Sequence, residues 1–201
     1  MIALSLRQPW ATAVLRLNKR IENRRWSTRV RGPFLIHAAK GMTLAELDSA
    51  RTFCAAARAE ETRHAVFEDY QPIDKAFFGQ TAPLAWSPSA GRKWLALARQ
   101  TMPFGAIVGI ARLVDVVPPR PPPPRPEDAP RAAWYPQRAR SAWRWHMPEQ
   151  YGFVLEDVHE LTTPIPYVGT LGFFDVAQEV VELAKSRLDA RLWANTIGAC
   201  R

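Results

Sequence analysis

Lys19, Glu22 and Arg24 lie three and two positions apart in a stretch that is otherwise almost wholly basic. Residues 1–40 hold nine Lys and Arg (Arg7, Arg16, Lys19, Arg20, Arg24, Arg25, Arg29, Arg31 and Lys40) against one acid, Glu22. That segment sums to +8, which is also the formal charge of the chain, so residues 41–201 are neutral in sum. A single carboxylate among nine cations has a specific chemical use. It neutralises locally, and it accepts from an exocyclic amine as Glu and Asp accept from cytosine N4. Lys19, Arg24 and Arg7 would then take phosphate, and the Gln8 amide offers a donor and an acceptor to a base edge. The plainer alternative is a structural ion-pair network.

The local pattern says what must position these groups. Ile2, Leu4 and Leu6 alternate with Ala3, Ser5 and Arg7, a half-buried strand. Gln8-Pro9 opens a helix, since proline suits the first helical position. Trp10, Ala13, Val14 and Leu17 form its apolar face, which makes Trp10 a core residue before a stacking one. Asn18 tolerates the left-handed conformation at a helix end. From Lys19 to Trp26 the period becomes two, with Arg20, Glu22, Arg24 and Trp26 on one face. Trp26 is therefore the better stacking candidate. Arg31-Gly32-Pro33 turns into a third strand that carries His37 and ends at Lys40. His37 reads first as a satisfied strand histidine and second as a site residue.

Further on, Thr43 and Glu46 make a capping box, and the helix they start ends near Glu60. A helical piece around Gly91–Gln100 follows, and residues 41–102 read as an elaboration rather than a second core. Pro103–Val117 is a strand whose glycines mark a bulge or a close backbone approach. Seven of the nine residues from Pro118 to Pro126 are proline, an extended run that is either a stiff spacer or a docking ligand for a protein partner. In residues 127–150, Trp134, Tyr135, Trp143 and Trp145 alternate with arginines, the makings of a base-stacking surface or of a loop packed on a barrel mouth. Tyr151–Leu161 and Leu171–Val176 are the last strands, joined through Pro164-Ile165-Pro166, and one helix runs on to about Trp193.

Six strands with few helices indicate an α+β chain built on a small barrel. Residues 1–176 read as one domain, with insertions at 41–102 and 118–150, and residues 177–201 as a C-terminal helical extension. The sequence pI near 10.1 favours a polyanionic partner. Cys54 and Cys200 form no metal-ligand spacing and no disulfide framework, so no metal or cofactor is expected. No apolar run approaches membrane-spanning length, and a reducing cytoplasm is the expected compartment.

Three separated blocks carry a resemblance. Leu4-Ser5-Leu6-Arg7-Gln8-Pro9-Trp10-Ala11, Lys19-x-x-Glu22-x-Arg24 and Arg31-Gly32-Pro33-x-x-Ile36-His37-Ala38 closely resemble the ASCH domain, activating-signal-cointegrator homology. Tyr151-Gly152-Phe153-Val154-Leu155-Glu156 and Pro164-Ile165-Pro166-x-x-Gly169-x-x-Gly172-Phe173-Phe174 look like the end of the same family, which adds Tyr151 and Glu156 to the candidates. The resemblance implies a PUA-like mixed β-barrel, related to the RNA-binding PUA and YTH domains. It also implies a cleft between barrel and first helix that carries Gly-x-Lys-x-x-Glu-x-Arg. Leu17 stands where that motif has glycine, so Asn18 is expected to supply the special dihedral.

The same resemblance raises catalysis. Some small family members are amidohydrolases on acetylated cytidine that use a lysine, a threonine and a glutamate, and some others are reported as ribonucleases. Lys19 matches the lysine, but Glu22 stands where the threonine belongs, and the 103–117 strand offers no counterpart of the glutamate. Glutamate does not replace a nucleophilic threonine without a change of mechanism. The expectation is a module that binds RNA or another nucleic acid. The alternative is a hydrolase of a modified nucleoside or of RNA, with Lys19 and Glu22 as its catalytic pair. An adaptor role through the proline-rich loop or the C-terminal helix is a third reading.

Overall fold

The alternation at the N-terminus makes β1 (Ile2–Leu6), which lies parallel to β3 (Gly32–Ala38) with Leu4 opposite Ile36 and Ser5 opposite His37. A parallel neighbour requires a crossover. That crossover is α1 (Trp10–Arg16) followed by β2 (Ile21–Arg24). β4 (Ala106–Val117), β5 (Tyr151–Pro166) and β6 (Phe173–Asp175) complete a mixed sheet of order β2-β5-β4-β3-β1-β6. The structure, a computed structural model, describes residues 1–62, 77, 91–119 and 142–198. Most of the proline run and the 127–141 aromatics lie outside the described residues.

The sheet curls around Leu4, Leu6, Phe34, Ile36, Leu113 and Phe153, each nearly or fully buried. Burial of one such side chain contributes about 1.5–3 kcal/mol, so this cluster supports the six-strand, PUA-like half-barrel with flanking helices that the sequence implies. Backbone pairing among the described residues does not close it, because β2 and β6 are the two ends of the strand order. Side chains bridge the seam instead. Arg24 Nη2 donates to the Ser5 carbonyl at 2.7 Å, and the Trp26 ring stands edge-on to Phe153 and Phe173 at 5.1 and 6.0 Å.

Two helical layers flank the sheet. On its outer face, Val181 and Ala184 of α4 (Gln178–Ser186) and Trp193 of α5 (Ala190–Gly198) bury against Ile107, Ile110, Leu161 and Ile165. The single C-terminal helix expected from the sequence is thus two. Asp189 explains the break, since its carboxylate accepts the Arg191 and Leu192 amides at 2.8 and 3.3 Å and starts a new helix. Beside α1, α2 (Leu44–Thr62) and α3 (Gly91–Thr101) close over a cluster containing Leu17, Ile21, Phe77, Trp94 and Trp145. The described residues of 41–102 therefore share a hydrophobic cluster with α1, β2 and residues 142–145.

β5 runs through Pro164-Ile165-Pro166, where a connection was expected. The β4–β5 register steps from Gly109 opposite Glu160 to Ile107 opposite Ile165, so the intervening residues bulge out of the ladder. Arg187 satisfies that bulge by donating to the Thr163 and Pro164 carbonyls at 3.1 and 2.7 Å. Gly109 also meets its second expectation, close approach: a Cβ there would sit 2.6 Å from both the His159 carbonyl and Leu15 Cδ2.

Candidate nucleic-acid interface

Asn18 takes φ 57° at the end of α1, the left-handed turn that the missing motif glycine required of it. The turn swings Lys19 back under α1, where its side chain is 1% exposed. Its Nζ donates to the Ile21 carbonyl at 2.5 Å and to Glu22 Oε2 at 2.9 Å, and it sits 5.5 Å from the centroid of the Trp10 ring. The Glu22 side chain is 8% exposed and has Arg24 Nε on its other oxygen at 3.2 Å. That Nε makes no well-aligned hydrogen bond among the described residues. The carboxylate is therefore held between two cations, and the trio carries a net +1. Lysine has three N–H donors, and two of them are engaged with the described residues.

Trp10, Lys19 and Glu22 line one side of a cleft of about 150 Å³ that Asn23, Met147 and Gln150 complete. Residues 142–150 form this far wall because Asn23 clamps them: its Nδ2 donates to the Trp145 carbonyl and its Oδ1 accepts the Met147 amide, both at 2.8 Å. Asn23, Met147 and Gln150 are absent from the sequence candidates. The only sequence signal for them is the strand at Tyr151, which pairs with β2 as Arg24↔Tyr151 and so brings Gln150 to the cleft mouth.

The other candidates disperse. Arg7 is more than half exposed and pairs with Glu46 of the capping box at 2.5 Å. Burial alone would raise the Glu46 carboxyl, but hydrogen bonds from Arg7 and Thr43 outweigh it and hold the group below its ordinary value. Gln8 is fully buried; its Oε1 accepts from the Thr12 amide and hydroxyl, and its Nε2 donates to the Pro103 carbonyl at 2.7 Å. Its amide is spent on holding α1, not presented to the cleft. Trp26 stays 37% exposed but sits at the barrel seam. Tyr151 packs half-buried against the barrel core. Glu156 faces Arg112 at 3.4 Å.

His37 and Lys40 meet elsewhere, in a second pocket of about 320 Å³ that also holds Ser5 and the 168–171 loop. Burial pushes the His37 imidazole below its ordinary value; a hydrogen bond to the Tyr167 carbonyl opposes this, and Lys40 adds to it. Of the tryptophans among arginines, Trp145 is wholly buried and packs on Phe53 at 6.2 Å, so it belongs to a core and not to a stacking surface. Trp143 remains half-exposed with the Arg144 guanidinium over its ring.

Among the described residues no three His, Cys, Asp or Glu side chains gather as a metal site needs, and no helix is long and apolar enough to cross a membrane. No curated protein matches the chain. The family model of the ASCH domain matches residues 4–143, which takes in β1 through β4 and both sides of the Lys19–Glu22–Arg24 motif. That is well over half of the 201 residues, and the chain belongs to the ASCH domain family.

Proposed function

We propose that this protein binds single-stranded nucleic acid, RNA before DNA, by taking one base into the cleft between α1, β2 and residues 142–150. The family is generally thought to bind RNA. The observation that carries the reading is the Glu22 carboxylate, fixed between Lys19 and Arg24 on the wall of a small cleft. A carboxylate so held is an oriented acceptor for an exocyclic amine. The cleft is small beside the roughly 300–1,000 Å³ of drug-sized sites, which suits one ring system. Trp10 offers an aromatic face, Gln150 a polar side chain for a base edge, and the third Lys19 N–H a donor.

Fluorescence anisotropy with labelled single-stranded RNA and DNA at low salt tests this. Glu22→Gln keeps the shape and removes the charge; it should weaken binding of cytidine-containing RNA about ten-fold, within the 1–3 kcal/mol of a good base contact. Absence of binding to any oligonucleotide at low salt, or a Glu22→Gln protein that binds as tightly as the parent, overturns the reading. The same samples decide the alternative, since turnover of acetylcytidine or cleavage of the RNA that Glu22→Gln abolishes would make the cleft an active site.

A further inference from the structure

The second pocket is built with more care than a surface dimple requires. His37 Nε2 lies 3.2 Å from the Tyr167 carbonyl, an acceptor, so the neutral ring carries its proton there. Nδ1 is then the acceptor for the Ser5 hydroxyl at 2.9 Å, which leaves the lone pairs of Ser5 Oγ to receive a ligand donor. Gly169 lies against the ring so closely that a Cβ would come within 2.4 Å of His37 Cε1, so glycine alone lets the β5–β6 loop rest there. Lys40 contributes an exposed ammonium that makes no ion pair among the described residues. On the rim, Val168 and Leu171 are 76% and 97% exposed, the two most exposed large apolar side chains among the described residues.

The backbone of Ser5 joins this pocket to the cleft. Its amide donates to the Gly172 carbonyl where the loop enters β6, and its carbonyl accepts from the Arg24 guanidinium that also faces Glu22. One arginine therefore touches the carboxylate of the cleft and the strand that floors the second pocket.

We infer that the pocket formed by Ser5, His37, Lys40 and the 168–171 loop is a second nucleotide subsite, which holds the neighbour of the base bound in the cleft. Lys40 meets the linking phosphate, Ser5 Oγ accepts from a sugar hydroxyl, and Val168 with Leu171 gives the second base an apolar platform. The inference rests on the base-binding reading of the cleft, and the test separates the two. Cytidine 5′-monophosphate and the dinucleotide that carries one further cytidylate on its 3′-hydroxyl, so that the linking phosphate is absent from the mononucleotide, are titrated into labelled protein. NMR follows the Asn23 and Gln150 side-chain amides and the Val168 and Leu171 methyls. The mononucleotide should move the amides alone; the dinucleotide should move the methyls as well and bind about ten-fold tighter, the scale of covering one exposed Val or Leu side chain. Leu171→Asp and Lys40→Gln, both at exposed positions, should remove that gain and leave mononucleotide affinity within about two-fold. If the mononucleotide binds but the second cytidylate adds nothing, or if both variants keep the gain, the second subsite is wrong and the cleft stands. If neither nucleotide moves the Asn23 and Gln150 amides, the cleft reading fails, and the subsite falls with it.

Discussion

Lys19 is the residue on which folding and function are hardest to separate. An ammonium 1% exposed is stable only because Ile21 and Glu22 accept from it. Glu22→Ala leaves that charge buried without its counterion, which costs about 3–5 kcal/mol, visible as a lower urea midpoint. A Lys19→Met, Glu22→Leu double variant removes both charges and should recover most of the loss, yet bind no RNA. A double variant as unstable as Glu22→Ala alone would show that the pair contributes packing rather than charge compensation. His37 gives a second residue-scale prediction, with a definite sign. Its folded pKa lies below the ordinary 6.5, so the unfolded chain takes up the proton first. The stability it contributes is complete above about pH 6.5 and is lost as pH falls through that value towards the folded pKa. Thermal midpoints of the parent should therefore drop more between pH 7 and pH 5 than those of His37→Gln; parallel curves would contradict this.

At the scale of elements, the N-terminal unit was readable and the far wall of the cleft was not. β1, α1, β2 and the Asn18 turn follow from alternation, helical spacing and one residue suited to positive φ, all local signals. The wall depends on Asn23 reaching residues 145 and 147, more than 120 positions away, and no periodicity encodes such a contact. Trp145 stayed open between a stacking surface and a packed loop for the same reason. Beside Arg144 it fits either, and it is α2 that decides, by supplying Phe53 to cover it. Pro164 and Pro166 looked like a connection because proline cannot donate to a ladder; the bulge and Arg187 meet that need from outside the strand. Asn23 then has a testable role as a clamp. Asn23→Ala should raise amide exchange at Met147 at least several-fold and weaken RNA binding, with the barrel amides of β3 and β4 unchanged. Gln8→Ala is its counterpart. It orphans the Thr12 amide and the Pro103 carbonyl, costs about 1–3 kcal/mol, and should leave base preference untouched.

For the molecule as a whole, the fold rewrites the charge balance that the sequence displays. Residues 1–40 sum to +8 and the rest to zero, which reads as nine cations open to a polyanion. The fold brings acids from the neutral remainder onto three of them: Arg7 meets Glu46, Arg16 meets Glu160 through both Nε and Nη2, and Arg31 meets Asp115 at 3.7 Å. Lys19 and Arg24 share Glu22, and Arg20 donates to the Val14 carbonyl. Of the nine, Arg25, Arg29 and Lys40 remain exposed with no ion pair among the described residues. Single strands release about 0.7 counterion per phosphate neutralised. Three free cations therefore give a slope of log K against log salt near −2, whereas all nine would give about −6. Anisotropy titrations of a short single-stranded RNA from 50 to 300 mM salt measure this directly. A slope near −2 that falls by about 0.7 in Arg29→Gln means the exposed trio carries the phosphate contacts. A slope of about −4 would mean that the polyanion breaks the Glu46, Glu160 and Asp115 pairs on binding and adds Arg7, Arg16 and Arg31 to the exposed trio, so that the acids brought in from the rest of the chain do not limit its electrostatic reach.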